Sequence, residues 1–580
     1  MARQPQFGNV QDNGAAELPL EDQFVEQAEY IDEATFLAIS ATHPEEESIV
    51  RRLSAGGAKL LVGPRGCGKT TLMLKVFYSL LRDHGSTVLP VYVNFKLSLK
   101  LEPLYANTPN ATFWFRLWLN LKIYQGLSKS LQDSTRVIER SSGLPSDSAV
   151  AALISSIEAG RLDSEVDHQA FSTHALTDAI NLTLQRNRFT RCVLLLDDAA
   201  HAFSPRQQED FFEFFRQIKS RQVSPKAAIY PGITSHSPTF HVGHDAEQID
   251  MWVKPDSGPY LDFMRSLATK RFNGELPATL ASSTDTLDFL AFAAFGIPRS
   301  FLNMLRAIYL EESRSDTPSA AIDRRKVLVI AKESRELSHN VYDSLAHKLP
   351  SYKEFVETGR KIFNRLVSEL KSFNRDRPDD NQGLQVGIKR PVTPEIEKVF
   401  GFLQYAGLIM PAGHNSRGVK GTFDLFMIHY GELATENAII GRRTKSIPAF
   451  VAAFKSQTHQ AWPRIAAETI APIEHSDALF RLVLPNCQIC GAERSSEHAK
   501  FCHNCGAQLK ATSLYNDLIS QDITALPLSI KIIKRIREHS DIRTIKDILM
   551  DTEKIRLRGI PWIGPVRAKQ IANYAEEHVA

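Results

Sequence analysis

The stretch AKLLVGPRGCGKTTLMLKVFYSLL at residues 58–81 limits the fold more than any other part of this 580-residue chain. It begins with an apolar run, continues with a loop that fits G-x-x-x-x-G-K-[ST], and ends with apolar residues at helical spacing. A strand, a glycine-rich loop and a helix in this order surround a phosphate with backbone N–H groups and a helix N-terminus. The stretch therefore predicts an α/β domain that binds a nucleotide.

The loop gives its residues separate tasks. Lys69 is expected to reach the β- and γ-phosphates of ATP, and the Thr70 hydroxyl is expected to ligate Mg²⁺. Cys67 is predicted to fill space in the loop rather than to be a reactive thiol. The predicted nucleotide-binding residues are Gly63, Pro64, Arg65, Gly66, Cys67, Gly68, Lys69, Thr70 and Thr71.

A second apolar run ends in two acids, in the stretch RCVLLLDDAAHAF at residues 191–203. Four successive aliphatic residues are typical of a strand that is covered on both faces of a parallel sheet. Asp197 is predicted to hold Mg²⁺ through water, and Asp198 to orient the attacking water. An aspartate at this position sets its carboxylate back by one methylene, about 1.5 Å, relative to the usual glutamate. We therefore expect ATP to be bound tightly and hydrolysed slowly.

Other strands and helices alternate around these two motifs. TVLPVYVNF (87–95) and AAIYPGIT (227–234) have the composition of buried strands, and ATFWFRLWLNLKIYQGL (111–127) has that of a helix. Alternating strands and helices predict a doubly wound parallel sheet. Thr234, at the end of the last of these strands, is predicted to hydrogen-bond the γ-phosphate or the attacking water.

Taken in order, these motifs and the later stretch GIPRSFLNML (296–305) resemble the Walker A, Walker B, sensor 1 and sensor 2 elements of AAA+ ATPases. The resemblance is to the origin-recognition and initiator branch, and it covers roughly residues 35–430. It implies that Arg299, in a helical lid, contacts the γ-phosphate. The Asp-Asp ending differs from that branch and is similar to the STAND signalling NTPases.

AAA+ ATPases commonly complete their site with an arginine from a neighbouring subunit, so the resemblance also implies ATP-dependent homo-oligomers. The helix YLDFMRSLATKRF (260–272) offers two arginines for this role, Arg265 and Arg271. We assign the role to Arg271, with a plain surface position as the alternative.

The sequence predicts a helix at 352–370 and, at 393–410, a second helix that runs into a short strand. The glycine-punctuated hairpin HNSRGVKGTFDLFMIH follows, and together these elements resemble a winged helix. Arg417 and Lys420 would lie at the tip of the wing, where they could contact DNA phosphates. The alternative is a winged helix that contacts only protein.

Four of the six cysteines form the pattern C-x2-C-G-x10-C-x2-C-G through Cys487, Cys490, Cys502 and Cys505. Each C-x2-C turn directs two thiolates to one centre, and four thiolates suit tetrahedral Zn²⁺ without an open position for catalysis. We predict a structural zinc ribbon, with an iron–sulfur centre or a redox dithiol pair as the alternatives.

The stretch IRLRGIPWIGPVRAKQIANY near the C-terminus resembles a helix-hairpin-helix, and the whole tail resembles the C-terminal domain of the RNA polymerase alpha subunit. The resemblance implies that Gly564 grips a DNA phosphate, with Arg567 and Lys569 beside it. Trp562 stands where the motif usually has its first glycine, so docking on a protein is the alternative.

Charge is distributed unevenly along the chain. Residues 1–50 contain eleven acidic residues and one basic residue, whereas residues 531–569 contain eleven basic and five acidic residues. A basic C-terminal end is able to meet nucleic acid. With no signal-peptide pattern, no long apolar run and cysteines in metal-type spacing, we expect a cytoplasmic protein without membrane contact.

These features predict seven segments: an acidic N-terminal segment (1–34), an AAA+ nucleotide-binding domain (35–250), a helical lid (251–338), a winged helix (339–440), a linker (441–485), a zinc ribbon (486–510) and a small all-α domain (515–580). The function predicted from them is a slow ATPase switch that uses ATP, Mg²⁺ and Zn²⁺ and couples its nucleotide state to binding of double-stranded DNA. The alternatives are a signalling NTPase, for example in defence against foreign DNA, whose tail docks a protein effector, and a scaffold that binds ATP without turnover.

Overall fold

The computed structural model describes most of the chain between residues 28 and 579. Most of the predicted acidic segment therefore lies outside the described residues. The residues that are not described are 1–27, 109, 136, 142, 163–167, 200–203, 313–322, 379–380, 441–445, 457–460, 471–478, 495–498, 500, 508, 510–512, 552 and 580.

A parallel sheet of five strands forms the centre of the N-terminal half. Its strands lie in the order β2-β3-β4-β1-β5, and every pairing is parallel. This order, with the glycine-rich loop after β1 and the two acids after β3, confirms the predicted α/β core of the AAA+ type. The strands are β1 (Lys59–Val62), β2 (Val88–Asn94), β3 (Arg191–Asp197), β4 (Val223–Ile229) and β5 (Glu247–Asp250).

Alternate residues of the central strands enter two cores, one on each face of the sheet. Leu60 and Leu194 belong to one core, and their neighbours Leu61 and Leu195 belong to the other. Because successive side chains of a strand point to opposite faces, an unbroken apolar run is needed to bury both. The helices of this half are α1 (Glu33–Ile39), α2 (Glu46–Ser54), α3 (Lys69–Arg82), α4 (Glu102–Asn107), α5 (Ala111–Asp133), α6 (Asp147–Glu158), α7 (Thr173–Arg186) and α8 (Pro205–Ile218).

A helical lid follows the sheet. The apolar residues between 289 and 297 are buried inside the lid, where they form part of its hydrophobic core. Among the described residues, no helix is long and apolar enough to cross a membrane. The lid helices are α9 (Tyr260–Arg271), α10 (Ala278–Ala281), α11 (Thr284–Ala293) and α12 (Pro298–Glu312).

The predicted winged helix is present beyond the lid. Its sheet has the order β7-β8-β6-β9, and β7 and β8 form the expected antiparallel hairpin. Its first helix runs without a break across the boundary predicted at 338/339. The elements are α13 (Arg324–Lys348), α14 (Lys353–Asn374), β6 (Gln385–Lys389), α15 (Pro394–Tyr405), β7 (Ile409–Ser416), β8 (Thr422–Ile428), α16 (Tyr430–Thr435) and β9 (Arg464–Ile465).

The winged helix packs directly on the nucleotide-binding core. The backbones of Gly232 and Gly401 touch, and a Cβ on Gly232 would lie 2.2 Å from the carbonyl carbon of Gly401. At the end of α15, the carbonyl of Tyr405 accepts a hydrogen bond of 3.2 Å from the backbone N–H of Arg65 in the glycine-rich loop. The loop and the winged helix are therefore one packed unit.

Part of the stretch predicted to be a linker at 441–485 belongs to this packed body. Helix α17 (Ile447–Lys455) buries Phe450 and Phe454 against the lid helix α11. A further short helix, α18 (Ala467–Ile470), contacts α14. Because burial of these apolar side chains is favourable, residues 447–455 are part of the folded body and not a flexible linker.

The C-terminal domain is a small helical body with its own apolar core, and it docks on the nucleotide-binding half. Leu99, from the turn Lys96–Leu101 after β2, is inserted into that core and is almost completely buried. Glu102 at the start of α4 accepts a hydrogen bond of 2.6 Å from the Ser513 hydroxyl. The helices are α19 (Leu514–Ser520), α20 (Ile530–His539), α21 (Ile545–Leu549), α22 (Ile555–Arg558) and α23 (Pro565–Val579).

Candidate functional site: a nucleotide cavity

The glycine-rich loop lies between β1 and α3, and its backbone depends on glycine at two positions. Gly66 and Gly68 have φ angles of +85° and +97°, which side chains with a Cβ rarely adopt. Helix α3 begins at Lys69, directly after the loop. Cys67 is buried against this backbone, as expected of a residue that fills space. The loop therefore has the turn that directs N–H groups toward a phosphate.

Lys69 is held at the loop by three contacts. Its ammonium donates hydrogen bonds of 2.8 and 3.0 Å to the carbonyls of Gly63 and Pro64. It also lies 3.8 Å from the centre of the Tyr230 ring. Burial lowers the pKa of Lys69. A bound phosphate would supply the negative charge that a buried ammonium needs.

Asp197 lies at the end of β3, where oxygen donors converge. Its carboxylate accepts hydrogen bonds from the Thr70 hydroxyl, from the Tyr92 hydroxyl at 2.9 Å and from the backbone N–H of Asp198 at 3.0 Å. Burial, together with the charge of Asp198, raises the pKa of Asp197 to about 7. A buried carboxylate beside a loop hydroxyl is a donor set that suits Mg²⁺.

Asp198 has a second, separate arrangement. Its backbone is left-handed with a φ of +50°, and its carboxylate accepts a hydrogen bond of 3.0 Å from the Tyr230 hydroxyl. The two acids at the end of β3 therefore have different partners. Asp197 contacts Thr70, whereas Asp198 contacts Tyr230 just after β4.

The structure places Tyr230, not Thr234, beside Asp198 at the end of β4. Strand β4 ends at Ile229, five residues before Thr234. The Thr234 hydroxyl donates to the carbonyl of Tyr230 at 2.8 Å and accepts from its N–H at 3.1 Å. Tyr230 itself lines the cavity and contacts Asp198 and Lys69. The strand predicted for 227–234 was too long, and the Pro-Gly pair at 231–232 was the signal of the turn.

Arg299 belongs to the lid and reaches the cavity. It occupies the first turn of lid helix α12, its N–H donates to the carbonyl of Gly66 at 3.4 Å, and its side chain lines the cavity. The guanidinium forms an ion pair of 3.6 Å with the carboxylate of Glu577 in α23.

Arg271 and Arg265 both contact other parts of their own chain. Arg271 lines the nucleotide cavity of its own chain, and burial lowers its pKa to about 10. Arg265 forms two hydrogen bonds of 2.8 Å with Asp288. The role of Arg271 in completing the site of a neighbouring subunit stays a prediction.

The cavity beside Lys69, Tyr230 and Arg299 has a volume of about 150 Å³. Besides residues of the loop and the lid, its lining includes Glu29 and Glu577, neither of which the sequence had connected with it. Glu29 accepts a hydrogen bond from the Asn94 amide and pairs with Lys96 at 3.5 Å, and burial raises its pKa. No local motif marks either glutamate.

The four cysteines of the predicted zinc ribbon come together. Their sulfur atoms all lie within 4.8 Å of one another. Gly491 and Gly506, each directly after the second cysteine of a pair, have φ angles of +71° and +70°, so both turns use the conformation that glycine favours. Four converging thiols fit a tetrahedral Zn²⁺ site, and they leave no position open for catalysis.

The predicted DNA contacts lie on two separate surfaces. On the wing, the guanidinium of Arg417 lies 5.6 Å from the centre of the Trp462 ring, and the side chain of Lys420 is outside the described residues. In the C-terminal domain, Gly564, Arg567 and Lys569 are exposed at the first turn of α23.

Trp562 lies in the turn just before α23 and has a left-handed backbone. Its φ is +69°, its side chain is 77% exposed, and its carbonyl accepts a hydrogen bond of 2.7 Å from Arg567. The large ring is therefore available at the surface beside the first turn of α23.

No protein-family model matches the chain, and no curated protein matches it. Among solved structures, the chain is similar to a Walker-type ATPase of Pyrococcus abyssi, with 13% identity, 71% of this chain and 96% of that chain covered, and a TM-score of 0.35. It is also similar to the Aeropyrum pernix ORC1 protein in complex with DNA, with 16% identity, coverage of 70% and 94%, and a TM-score of 0.28. For the Aeropyrum pernix ORC2 protein in ADPNP–ADP complexes the identity is 13%, the coverage 73% and 98%, and the TM-score 0.31. With likenesses this distant, the class rests on the motifs and the strand order of the chain itself.

Proposed function

We propose that this protein is an AAA+ ATPase of the switch type, which binds ATP with Mg²⁺ and hydrolyses it slowly. The observation that carries the proposal is that Lys69, Thr70 and Arg299 line one cavity, while the carboxylate of Asp197 accepts a hydrogen bond from the Thr70 hydroxyl. A cation for the phosphates, two oxygen donors for the metal and an arginine from the lid are the groups that phosphoryl transfer needs.

The second acid explains why the proposed turnover is slow. The Asp198 side chain is one methylene shorter than that of a glutamate, so its carboxylate is set back by about 1.5 Å, and the hydrogen bond from Tyr230 orients it without making up that length. A misplacement of about 1 Å at a reacting group costs up to about 100-fold in rate. We propose that a partner must tighten this site before hydrolysis becomes fast.

Double-stranded DNA is the partner that we propose. The exposed Arg567 and Lys569 lie at the start of α23, just after Gly564, and residues 531–569 contain eleven basic and five acidic residues. Backbone N–H groups at a helix start and neighbouring cations are typical phosphate contacts.

The test combines ATPase rates with and without duplex DNA. We expect DNA to raise the rate of the parent protein and to have no effect on Lys69→Ala, which would not bind ATP. The double variant Arg567→Gln/Lys569→Gln is expected to bind DNA more weakly, with a salt slope that is smaller by about one to two. Lys129→Gln, an exposed change on α5 of the nucleotide-binding half, is the matched control.

A parent protein that hydrolyses ATP but does not bind duplex DNA would contradict the DNA part of the proposal. That outcome would favour the signalling NTPase whose tail docks a protein effector. A parent protein that binds ATP without any turnover would favour the scaffold.

We also propose that the four cysteines hold one structural Zn²⁺. The convergence of their sulfur atoms supports this assignment. The ion would act as the core of the segment at 486–510, because metal binding supplies folding free energy in units of this size.

A further inference from the structure

The last helix of the C-terminal domain reaches the nucleotide cavity. The Glu577 side chain lines that cavity, is 17% exposed and forms the 3.6 Å ion pair with Arg299. Its charge also acts on Arg65 in the glycine-rich loop and on Lys348 at the end of α13. One carboxylate from the tail thus faces cations from the loop, the lid and the winged helix.

This contact is supported by packing elsewhere between the tail and the nucleotide-binding half. Leu99 from the turn after β2 is buried among the apolar residues of the tail. Ser513, just before α19, donates its hydroxyl hydrogen bond to Glu102 at the start of α4. Two independent anchors therefore hold the tail in the position that carries Glu577 into the cavity.

The position of Glu577 conflicts with the terminal phosphate of a nucleoside triphosphate. Arg299 is fixed above the loop by its backbone hydrogen bond to Gly66, so a phosphate chain that enters the loop approaches the same guanidinium. A carboxylate and a γ-phosphate are both anions, and like charges at one site disfavour each other. A diphosphate lacks the group that competes.

We infer that Glu577 is a specificity-determining residue of the nucleotide site. While the tail is docked, its carboxylate occupies Arg299 and selects against a terminal phosphate. A bound triphosphate displaces the carboxylate and loosens the last helix, whereas a diphosphate leaves it in place. This inference rests on the proposed ATP-binding function and adds the identity of the group that senses the third phosphate.

The coupling is reciprocal, because two ligands that compete for one group must weaken each other's binding equally. Helix α23 carries Arg567 in its first turn and Glu577 near its end, about 15 Å apart at 1.5 Å per residue. A partner that holds the first turn of α23 away from the core therefore withdraws Glu577 and favours the triphosphate.

The first experiment measures the affinities of the full chain for ADP and for a slowly hydrolysed ATP analogue. Glu577→Gln removes the charge and keeps the shape, so we expect the analogue to bind about five- to twentyfold more tightly. ADP affinity is expected to change less than about twofold, since no terminal phosphate meets the carboxylate. Glu553→Gln, the same change at an exposed position of the tail, is expected to alter neither affinity.

Two further measurements separate a charge effect from a structural one. In an Arg299→Gln background, Glu577→Gln should no longer favour the triphosphate, because the group for which the two anions compete is gone. In the parent protein, amide hydrogen exchange of residues 565–579 should become faster with the ATP analogue and stay unchanged with ADP.

Equal changes in ATP and ADP affinity in Glu577→Gln, or no change in either, would overturn the inference and leave the proposed ATPase intact. The ATPase is judged separately, by binding of the analogue to the parent protein and its loss in Lys69→Ala. A parent protein that binds neither nucleotide would overturn both.

Discussion

The cysteine cluster and the nucleotide cavity are built in opposite ways. The cluster takes all its ligands from two turns between residues 487 and 505, and both turns have the same hydrogen bonds, from Cys487 N–H to Ala492 and from Cys502 N–H to Ala507. The cavity takes its lining from segments between residues 28 and 577. A site confined to two turns is fixed by spacing, whereas a site assembled from distant segments depends on every contact that brings them together.

The largest effect on the cavity is expected for Lys69→Ala. Removal of one member of a buried charge pair costs several kcal/mol, so ATP affinity should fall by roughly 100-fold or more. Isothermal titration with ATP and Mg²⁺ measures this loss. Lys332→Ala, an exposed lysine on α13, is the control that should bind ATP as the parent does. Retained affinity in Lys69→Ala would place the nucleotide elsewhere.

An effect of similar size, but confined to turnover, is expected for Asp198→Asn. The amide cannot accept a proton from water, and loss of a general base lowers rates by about 100-fold or more. ATP should stay bound, because Lys69, Thr70 and Asp197 are unchanged. Single-turnover hydrolysis with and without DNA measures the step. Hydrolysis at the parent rate would show that Asp198 is not the base.

Tyr230→Phe tests the part of the cavity that only the fold supplies. The ring beneath Lys69 remains, but the hydrogen bond to Asp198 is lost, which is worth about 0.5–1.5 kcal/mol. We expect turnover to fall by about two- to tenfold with ATP affinity unchanged. A rise in turnover would mean that Tyr230 restrains Asp198 instead of orienting it.

The smallest effect on ATP binding is expected from a substitution in the cysteine cluster. Cys487→Ser should reduce the zinc content from about one per chain to none and make the region near 485–510 sensitive to protease. ATP affinity should remain within about twofold of the parent, because the cluster holds only its own turns. His503→Ser, an exposed change within the second turn, should keep the metal. Elemental analysis of iron instead of zinc would contradict the assignment.

Several features were determined by the sequence itself because neighbouring residues supply them. The glycine-rich loop has the predicted turn, since Gly66 and Gly68 are the residues that its left-handed positions require. The run before Asp197 is buried on both faces of a parallel sheet, as an unbroken aliphatic stretch demands. Each cysteine pair and its glycine lie within five residues, and only ten residues separate the two motifs, so the four sulfur atoms can meet without help from distant parts of the chain.

Other features were decided only by the tertiary structure. Because β4 ends at Ile229, Tyr230 lies at the cavity, and the Thr234 hydroxyl stabilises the turn by hydrogen bonds to the backbone of Tyr230. Lid packing placed Arg271 at the cavity of its own chain, although no local pattern showed which way this helix would face. Docking of the tail on Leu99 carried Glu577 to Arg299. The physical reason is the same in each case: a contact between residues far apart in the chain is set by the packing of whole elements, which no short pattern of residues encodes.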